Sequence, residues 1–473
     1  SLHYAYFAQS NRLAVQDGKR VTLYDTTTGS YWDPGTATFV PDVTQITANL
    51  TNVFVTSATW NLTTAGNKLP SSWPSGRIFT LVSQARDNAD NYETAFATTT
   101  FIIDNQAPFA QIVVPANNSG FNAFSTISGT AGGTDGTLGR DFSPITTVRY
   151  RIADVSVSPL TYWNGSLFTT VLATRTATYI GTSSGTWSAT EGGLNAQLIS
   201  GRRYLVEAFA TDLAGNEQST FAVGVSSNVF SFDNVSPDTS ITIPVDTQAY
   251  NAIPTFTGAA TDDFSGVATV NLAVSYLLAA DRYYWNGVAF SSTTYSVVGS
   301  SVVPVFGLSP SWSYNATPIA TLLVTGRDYT VYAYATDKST NYDATGSSRT
   351  FRYDTQHATA AVSSPANGST ISNLTTVAGT ALDDYAIQEV RITMKDNVTN
   401  LWWNGSAFTL SDGAKVFYLA TPQAPAVWTT WSWPFSSTPL ISGRGYTVQV
   451  ISQDSAGNMQ PVRSSGFTWD RTD

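Results

Sequence analysis

The 473-residue chain contains no cysteine, so neither a disulfide nor a thiolate metal site can form. Charge is scarce as well. Asp, Glu, Lys and Arg together make up 12% of the residues, about half the usual share. Only 23 of them are basic against 33 acidic, and no basic cluster is present to neutralise a phosphate backbone, so nucleic acid is not an expected partner. A formal net charge of −10 also opposes anionic lipid surfaces. No apolar run approaches the ~20 residues that span a bilayer, so no membrane insertion is expected in this segment. The chain opens at Ser1 without a charged and apolar leader, and a signal peptide is expected to be absent or already removed. The two histidines, His3 and His357, lie far apart with no repeated partner, against a Ser-His-Asp or His-metal site. No Gly-rich loop runs from a strand into a helix, and nucleotide binding has no support.

What the chain does have is apolar and aromatic substance. Hydrophobic residues reach 42% and aromatics 13%, enough for real cores and well suited to pleated, half-buried strands. Ser, Thr, Asn and Gly replace ions on the surface, a style that fits extracellular β proteins. A eukaryotic secreted chain of this length ordinarily uses disulfides, so their absence here points to a bacterial or archaeal surface.

One short pattern recurs four times: Tyr31-Trp32-Asp33-Pro34-Gly35, Tyr162-Trp163-Asn164-Gly165, Tyr284-Trp285-Asn286-Gly287 and Trp402-Trp403-Asn404-Gly405. A Phe follows each, at Phe39, Phe168, Phe290 and Phe408. The Trp spacings, 163−32 = 131, 285−163 = 122 and 403−285 = 118, are those of whole domains. Further along each copy come Gly-Arg steps at Gly76-Arg77, Gly201-Arg202, Gly326-Arg327 and Gly443-Arg444, each with an aromatic two residues after the Arg. Then come Asp and Asn four apart at Asp87/Asn91, Asp212/Asn216, Asp337/Asn341 and Asp454/Asn458. Each copy closes on Ile103-Asp104, Phe232-Asp233, Tyr353-Asp354 or Trp469-Asp470.

These landmarks carry local expectations. Asn-Gly between aromatic strands predicts a hairpin with a type I′ turn, with Trp and Phe paired across the ladder. The first copy needs another turn, because Pro34 cannot take positive φ. The Arg after Gly is expected to lay its stem on apolar surface with its head in water, and the following Tyr to bond the backbone as in a tyrosine corner. Short strands with turn signals every 8–12 residues predict sandwiches.

At this point the sequence resembles the bacterial immunoglobulin-like repeats found in tandem in adhesins, surface-layer proteins and cell-wall stalks. The likeness rests on Ala210-Thr211-Asp212-Leu213-Ala214-Gly215-Asn216, on Phe232-Asp233 with Pro237, and on Gly129-Thr130-Ala131 and Gly379-Thr380-Ala381. The expected fold is all-β, four tandem Ig-like β-sandwich domains in an elongated array, over residues 1–104, 105–233, 234–354 and 355–473. The first is expected to be incomplete at its N-terminus. Only 31 residues precede Trp32, whereas about 45 to 60 separate each closing Asp from the next hairpin. Strand addition by a neighbouring subunit would complete it. The string Asp104-Asn105-Gln106-Ala107-Pro108-Phe109 is similar to the calcium-binding linker of cadherins, without their glutamate-bearing motifs.

Calcium is the best inorganic candidate, because carboxylates converge where a link meets a sandwich end. The candidates are the joint residues Asp104, Asp233 and Asp354, the strand-end Asp212, Asp337 and Asp454, and the early Asp262, Asp263, Asp383 and Asp384. The competing reading is that these residues cap turns. No cofactor is required. The hairpins Tyr162-Trp163, Tyr284-Trp285 and Trp402-Trp403 are candidate interaction sites, for glycans or for subunits, against the alternative of cross-strand packing. Ten Asn-x-Ser/Thr sequons occur, and Asn164 and Asn404 sit in predicted turns where a glycan is tolerated.

The reading for function is a non-enzymatic, extracellular repeat region of a secreted prokaryotic surface protein, since a catalytic constellation would break the repeat in one copy and none does. Self-assembly into a filament, sheath or surface layer comes first, with itself or other cell-surface components as partners. An adhesin stalk comes second. A carbohydrate-binding module using exposed Tyr-Trp hairpins comes third.

Overall fold

The computed structural model describes residues 20–50, 59–87, 91–133, 143–253, 255–293, 298–300 and 309–471. The chain divides into two compact units, Ser1–Asp233 and Asn234–Asp473. Nearly all regular structure is strand, arranged as four successive Ig-like β-sandwiches, two in each unit.

The second copy shows the plan. One sheet runs Ser119–Phe121, Ser227–Phe232, Arg202–Asp212, Ile145–Asp154, Thr161–Trp163 and Phe168–Thr169, with Arg175–Thr176 also on Ile145–Asp154. The facing sheet runs Thr178–Gly181, Gly185–Thr190, Thr126–Gly132 and Phe109–Val114. Ser119–Phe121 pairs parallel with Ser227–Phe232, and Ser369–Ile371 does the same with Arg463–Trp469 in the fourth copy. The Trp-Asn-Gly hairpin thus widens the larger sheet at one edge.

Sequence alternation explains the layers. In Arg444–Asp454 the residues at Tyr446, Val448, Val450, Ser452 and Asp454 are buried and their neighbours are not, because successive side chains point to opposite faces. Tyr204, Tyr329 and Tyr446 sit at the same step of these strands, and each phenol oxygen accepts a backbone N–H from five residues upstream: Ile199 (2.9 Å), Val324 (2.8 Å) and Ile441 (2.8 Å). Burial holds all three phenols above their ordinary range.

A second tryptophan fills each of the later cores. Trp187, Trp312 and Trp431 lie opposite Gly129, Gly258 and Gly379, and their indole N–H groups donate to the carbonyls of Thr130, Ala259 and Thr380 at 3.1, 3.2 and 3.1 Å. The glycines leave room for the rings, so each Gly-x-Ala string is one half of a packing pair.

The Arg after Gly behaves differently from the expectation. Its head does not simply lie in water. Arg77, Arg202 and Arg444 donate to the buried carboxylates of Asp25, Asp154 and Asp396 at 2.8, 2.7 and 2.7 Å. Each Asp also accepts backbone N–H groups of the turn that follows it, such as Val398 onto Asp396 at 2.9 Å. Burial pushes the carboxyls of Asp25 and Asp396 up, but the arginines and turn amides outweigh it and leave both below the ordinary 3.8. A depressed native value contributes stability that is present above the unfolded value and is lost as pH falls through the native one. The melting temperature should therefore fall as pH drops below about 4. Asp396→Asn should flatten that slope for the fourth sandwich, and an unchanged slope would remove the pair from the account.

In the first copy the larger sheet runs Thr38–Val40, Ser30–Asp33, Arg20–Asp25, Arg77–Gln84 and Ala97–Ile103, with Ile46–Thr47 also on Arg20–Asp25, and Asn49–Leu50 pairs separately with Trp60–Asn61. Val21, Leu23, Trp32, Ile46, Ala48 and Phe79 make its core. The expectation of an incomplete N-terminus falls on residues 1–19, outside the described residues.

Candidate functional sites at hairpins and joints

The hairpins form with the expected partners but not with the expected turn. Trp163 pairs with Phe168, Trp285 with Phe290 and Trp403 with Phe408, and ring centroids of the first and last pairs lie 5.6 and 5.2 Å apart. Each connection has four residues rather than two. Only its Gly takes positive φ, +104° at Gly165, +99° at Gly287 and +104° at Gly405. The Asn instead caps the loop with its side chain: Asn164 Oδ1 accepts the N–H groups of Ser166 and Leu167 at 2.9 and 3.0 Å, and Asn404 Oδ1 those of Ser406 and Ala407 at 2.8 Å.

The indoles of Trp163, Trp285 and Trp403 face the cores, while Trp402, one step along the same strand as Trp403, lies on the opposite face. Trp163, Trp285, Trp402 and Trp403 are all buried, and only Tyr162 and Tyr284 keep part of their surface. A sugar-stacking platform needs an open ring face, and none of these four tryptophans offers one, so the carbohydrate reading of these hairpins is corrected. Trp402 is covered by the ammonium groups of Lys395 and Lys415 (5.7 and 5.0 Å from its ring centroid), and its N–H donates to Asp412 at 2.9 Å. Exposed around the hairpins are Leu167, Val171, Leu172 and Val288. Asn164 and Asn404 are exposed, and the amide nitrogen of Asn404 already donates to Thr409 Oγ1 at 2.8 Å.

The Asp candidates separate into distinct kinds. Asp212, Asp337 and Asp454 are occupied by their own turns. In each, one carboxylate oxygen accepts the N–H of the Asn four residues on, and the other accepts that Asn's side-chain amide, at 2.6 to 2.8 Å. The turns then grip the incoming link. Asn216 Nδ2 donates to the Asp104 carbonyl at 3.1 Å, and Asn458 Nδ2 to the carbonyls of Asp354 and Gln356 at 2.9 and 3.1 Å. The strand-end carboxylates are thus taken up by their own turns rather than by a cation, and at Asn216 and Asn458 those turns clamp the link.

The closing Asp residues share a local partner that the motif search missed. The hydroxyl before each Gly-Arg donates to one, Ser75 to Asp104, Ser200 to Asp233, Thr325 to Asp354 and Ser442 to Asp470, at 3.1 to 3.3 Å. The signal was present in Ser/Thr-Gly-Arg. Beyond that bond the joints differ. At the first, Asp104 is satisfied on its second oxygen by the Ser143 hydroxyl at 2.8 Å. At the joint between the third and fourth sandwiches, Asp354 is 1% exposed and its Oδ2 has no hydrogen-bond partner among the described residues.

What faces Asp354 is more negative charge. One carboxylate oxygen from each of Asp354, Asp383 and Asp384 lies within 4.8 Å of the others. Burial pushes the Asp383 carboxyl up, and the charges of Asp354, Asp454 and Asp384 push the same way, opposed by the Tyr385 N–H. Arg352 reaches Asp384 at 3.8 Å while sharing its head with Asp328 at 3.3 Å and lying over the Tyr385 ring at 4.9 Å. The Tyr385 hydroxyl donates to the Thr247 carbonyl at 3.2 Å and completes the contact between these two sandwiches.

No family model matches the chain, and no curated protein does. Solved structures with a similar tandem β-sandwich fold include one from a 1.5-MDa bacterial ice-binding adhesin, at 15% identity and TM-score 0.30, covering 77% of this chain and 99% of that one. The fibronectin(III)-like modules of Clostridium thermocellum CbhA are similar at 16% identity and TM-score 0.26, covering 52% and 94%. Immunoglobulin domains 1–5 of Sidekick-1 are similar at 12% identity and TM-score 0.27, covering 98% and 77%. These likenesses concern fold alone, and it is the sheets described above that make the chain a tandem run of Ig-like β-sandwiches.

Proposed function

We propose that this chain is a non-enzymatic structural segment of a secreted prokaryotic surface protein, with joints at Asp104, Asp233 and Asp354, that assembles outside the cell into a filament, sheath or surface layer. The observation supporting this reading is the clamp. Asn216 and Asn458 hold the link entering their sandwich by its backbone carbonyls, which makes a joint a hydrogen-bonded part rather than a free tether. Within each unit a joint held in this way fixes one copy to the next, and repeated surfaces suit repeated contacts. The aliphatics around the hairpins, Leu167, Val171, Leu172 and Val288, are the surface such contacts would use, in place of the buried tryptophans. Asn164 and Asn404 serve in this reading as glycan acceptors, and divalent cations at the joints as stiffeners.

Electron microscopy of native material carrying the chain tests this directly. A regular filament or lattice is the expected result, and Leu167→Glu with Val171→Glu should disperse it. Isolated strings of sandwiches would replace the proposal with the second reading, a stalk that presents a distal adhesive domain.

A further inference from the structure

We infer that Asp354, Asp383 and Asp384 bind one divalent cation of the calcium type between the third and fourth sandwiches. Two independent observations meet there. The first is geometric. Ca²⁺ holds oxygens at about 2.3–2.6 Å, so two oxygens on one ion stand no more than about 5 Å apart, and the three carboxylates offer oxygens within 4.8 Å of one another. The second is the orphaned acceptor. Asp354 is almost fully buried, its Oδ1 takes the Gln356 N–H at 2.9 Å and the Thr325 hydroxyl at 3.3 Å, and its Oδ2 has no partner. A buried carboxylate oxygen left without a donor is costly. At the first joint the same atom class is satisfied by Ser143, so the fold can supply a hydroxyl at such a joint. Here it supplies two carboxylates instead.

The charge balance points the same way. Asp354 comes from the joint, Asp383 and Asp384 from the turn after Thr376–Leu382, and Asp454 adds a fourth negative charge from the end of Arg444–Asp454. Among the described residues the cation paired with them is Arg352, which reaches Asp384 and is shared with Asp328. His357 is exposed and is not grouped with these residues, so the ligand atoms that converge here are carboxylate oxygens. An all-oxygen, carboxylate-rich and partly open site suits Ca²⁺, which accepts irregular shells completed by water, better than Mg²⁺, which demands a tight octahedron. Bound there, the ion would tie the joint residue Asp354 to the fourth sandwich and remove the repulsion among the carboxylates. The inference rests on the structural reading above only for its purpose.

The test uses the full chain, stripped with EDTA, and two readouts: terbium luminescence sensitised by aromatic side chains and displaced by Ca²⁺, and the Ca²⁺-induced rise in melting temperature of the fourth sandwich. Asp383→Asn, at a partly exposed position, should weaken Ca²⁺ at this site by about tenfold or more and erase most of the melting shift. In EDTA it should be at least as stable as the parent, because one repelling charge is gone. Asp354→Asn should lose the same binding. Equal responses to Ca²⁺ in the parent and both variants, or an Mg²⁺ response as large as that to Ca²⁺, would overturn the site. Assembly seen by microscopy is a separate readout. Binding without filaments removes only the structural proposal, and filaments without binding remove only the site.

Discussion

Gly379→Ala is expected to unfold the fourth sandwich well before the rest of the chain. A methyl group built on Gly379 would stand 2.1 Å from the Ala361 carbonyl oxygen and 2.2 and 2.5 Å from two carbons of the Trp431 ring. One obstacle is backbone on the neighbouring strand, and the other is a buried indole pinned by its N–H bond to Thr380. Neither can rotate away, so the strand pair must separate or the ring must leave the core. Overpacking ordinarily costs 1–3 kcal/mol, and a clash with fixed backbone on one side and a fixed ring on the other should exceed about 4 kcal/mol. That is a large share of the 5–15 kcal/mol available to a domain. Urea denaturation followed by tryptophan emission reads this well, because six of the chain's 13 tryptophans (Trp402, Trp403, Trp428, Trp431, Trp433 and Trp469) belong to this copy. The expected curve gains an early transition carrying a large share of the signal. A midpoint equal to the parent's would mean that the glycine is not needed for the approach of these strands. Gly129→Ala and Gly258→Ala face the same geometry, with carbonyl oxygens of Gln111 and Ser240 at 1.8 and 2.0 Å.

How legible all this was in the sequence depends on range. The Tyr204, Tyr329 and Tyr446 corners act over five residues, and the Asp-x-x-x-Asn turns over four, so spacing alone exposed both. The fold class followed from the same short-range signals repeated at domain length. Which face the hairpin tryptophans take was not legible, because alternation within a strand of three to five residues leaves either face open until the partner sheet is known. The Asn-Gly turn was misread for a local reason: the Asn caps the loop with its side chain and leaves the left-handed backbone to Gly alone. The arginine partners lie 48 or 52 residues back along the chain, across a sheet, and no spacing rule spans that distance. At the joint, Asp354 stood out from its motif. Asp383 and Asp384 became informative only once the fold brought them to it, although Asp262 and Asp263 follow Asp233 in sequence at the same 29 and 30 residues.

Arg444→Ala should be the most damaging change at a position that is itself partly exposed. It would leave the carboxylate of Asp396, whose side chain is 4% exposed, without the guanidinium that now stands 2.7 Å away. Breaking a buried pair by removing one partner costs 3–5 kcal/mol. Because the Arg444 side chain is 27% exposed and water can reach the gap, about 2–3 kcal/mol is the better expectation. The reverse change should be milder. Asp396→Asn keeps an oxygen for the Val398 N–H, and the freed guanidinium regains water, so about 1 kcal/mol is expected. The third sandwich supplies the control. Strand register sets Asp25 opposite Phe79, Asp154 opposite Tyr204 and Asp396 opposite Tyr446, while the same position opposite Tyr329 holds Tyr276. There Arg327 lies over the Tyr276 ring at 4.8 Å, and among the described residues no ion pair joins it to a buried acid. Arg327→Ala should then cost only the ring contact and its packing, about 0.5–1 kcal/mol. The predicted order is Arg444→Ala above Asp396→Asn and Arg327→Ala, read from midpoints of the separate unfolding transitions. If Arg444→Ala and Arg327→Ala cost the same, the arginine acts through its stem on apolar surface in both copies, and the buried carboxylate is not what makes it matter.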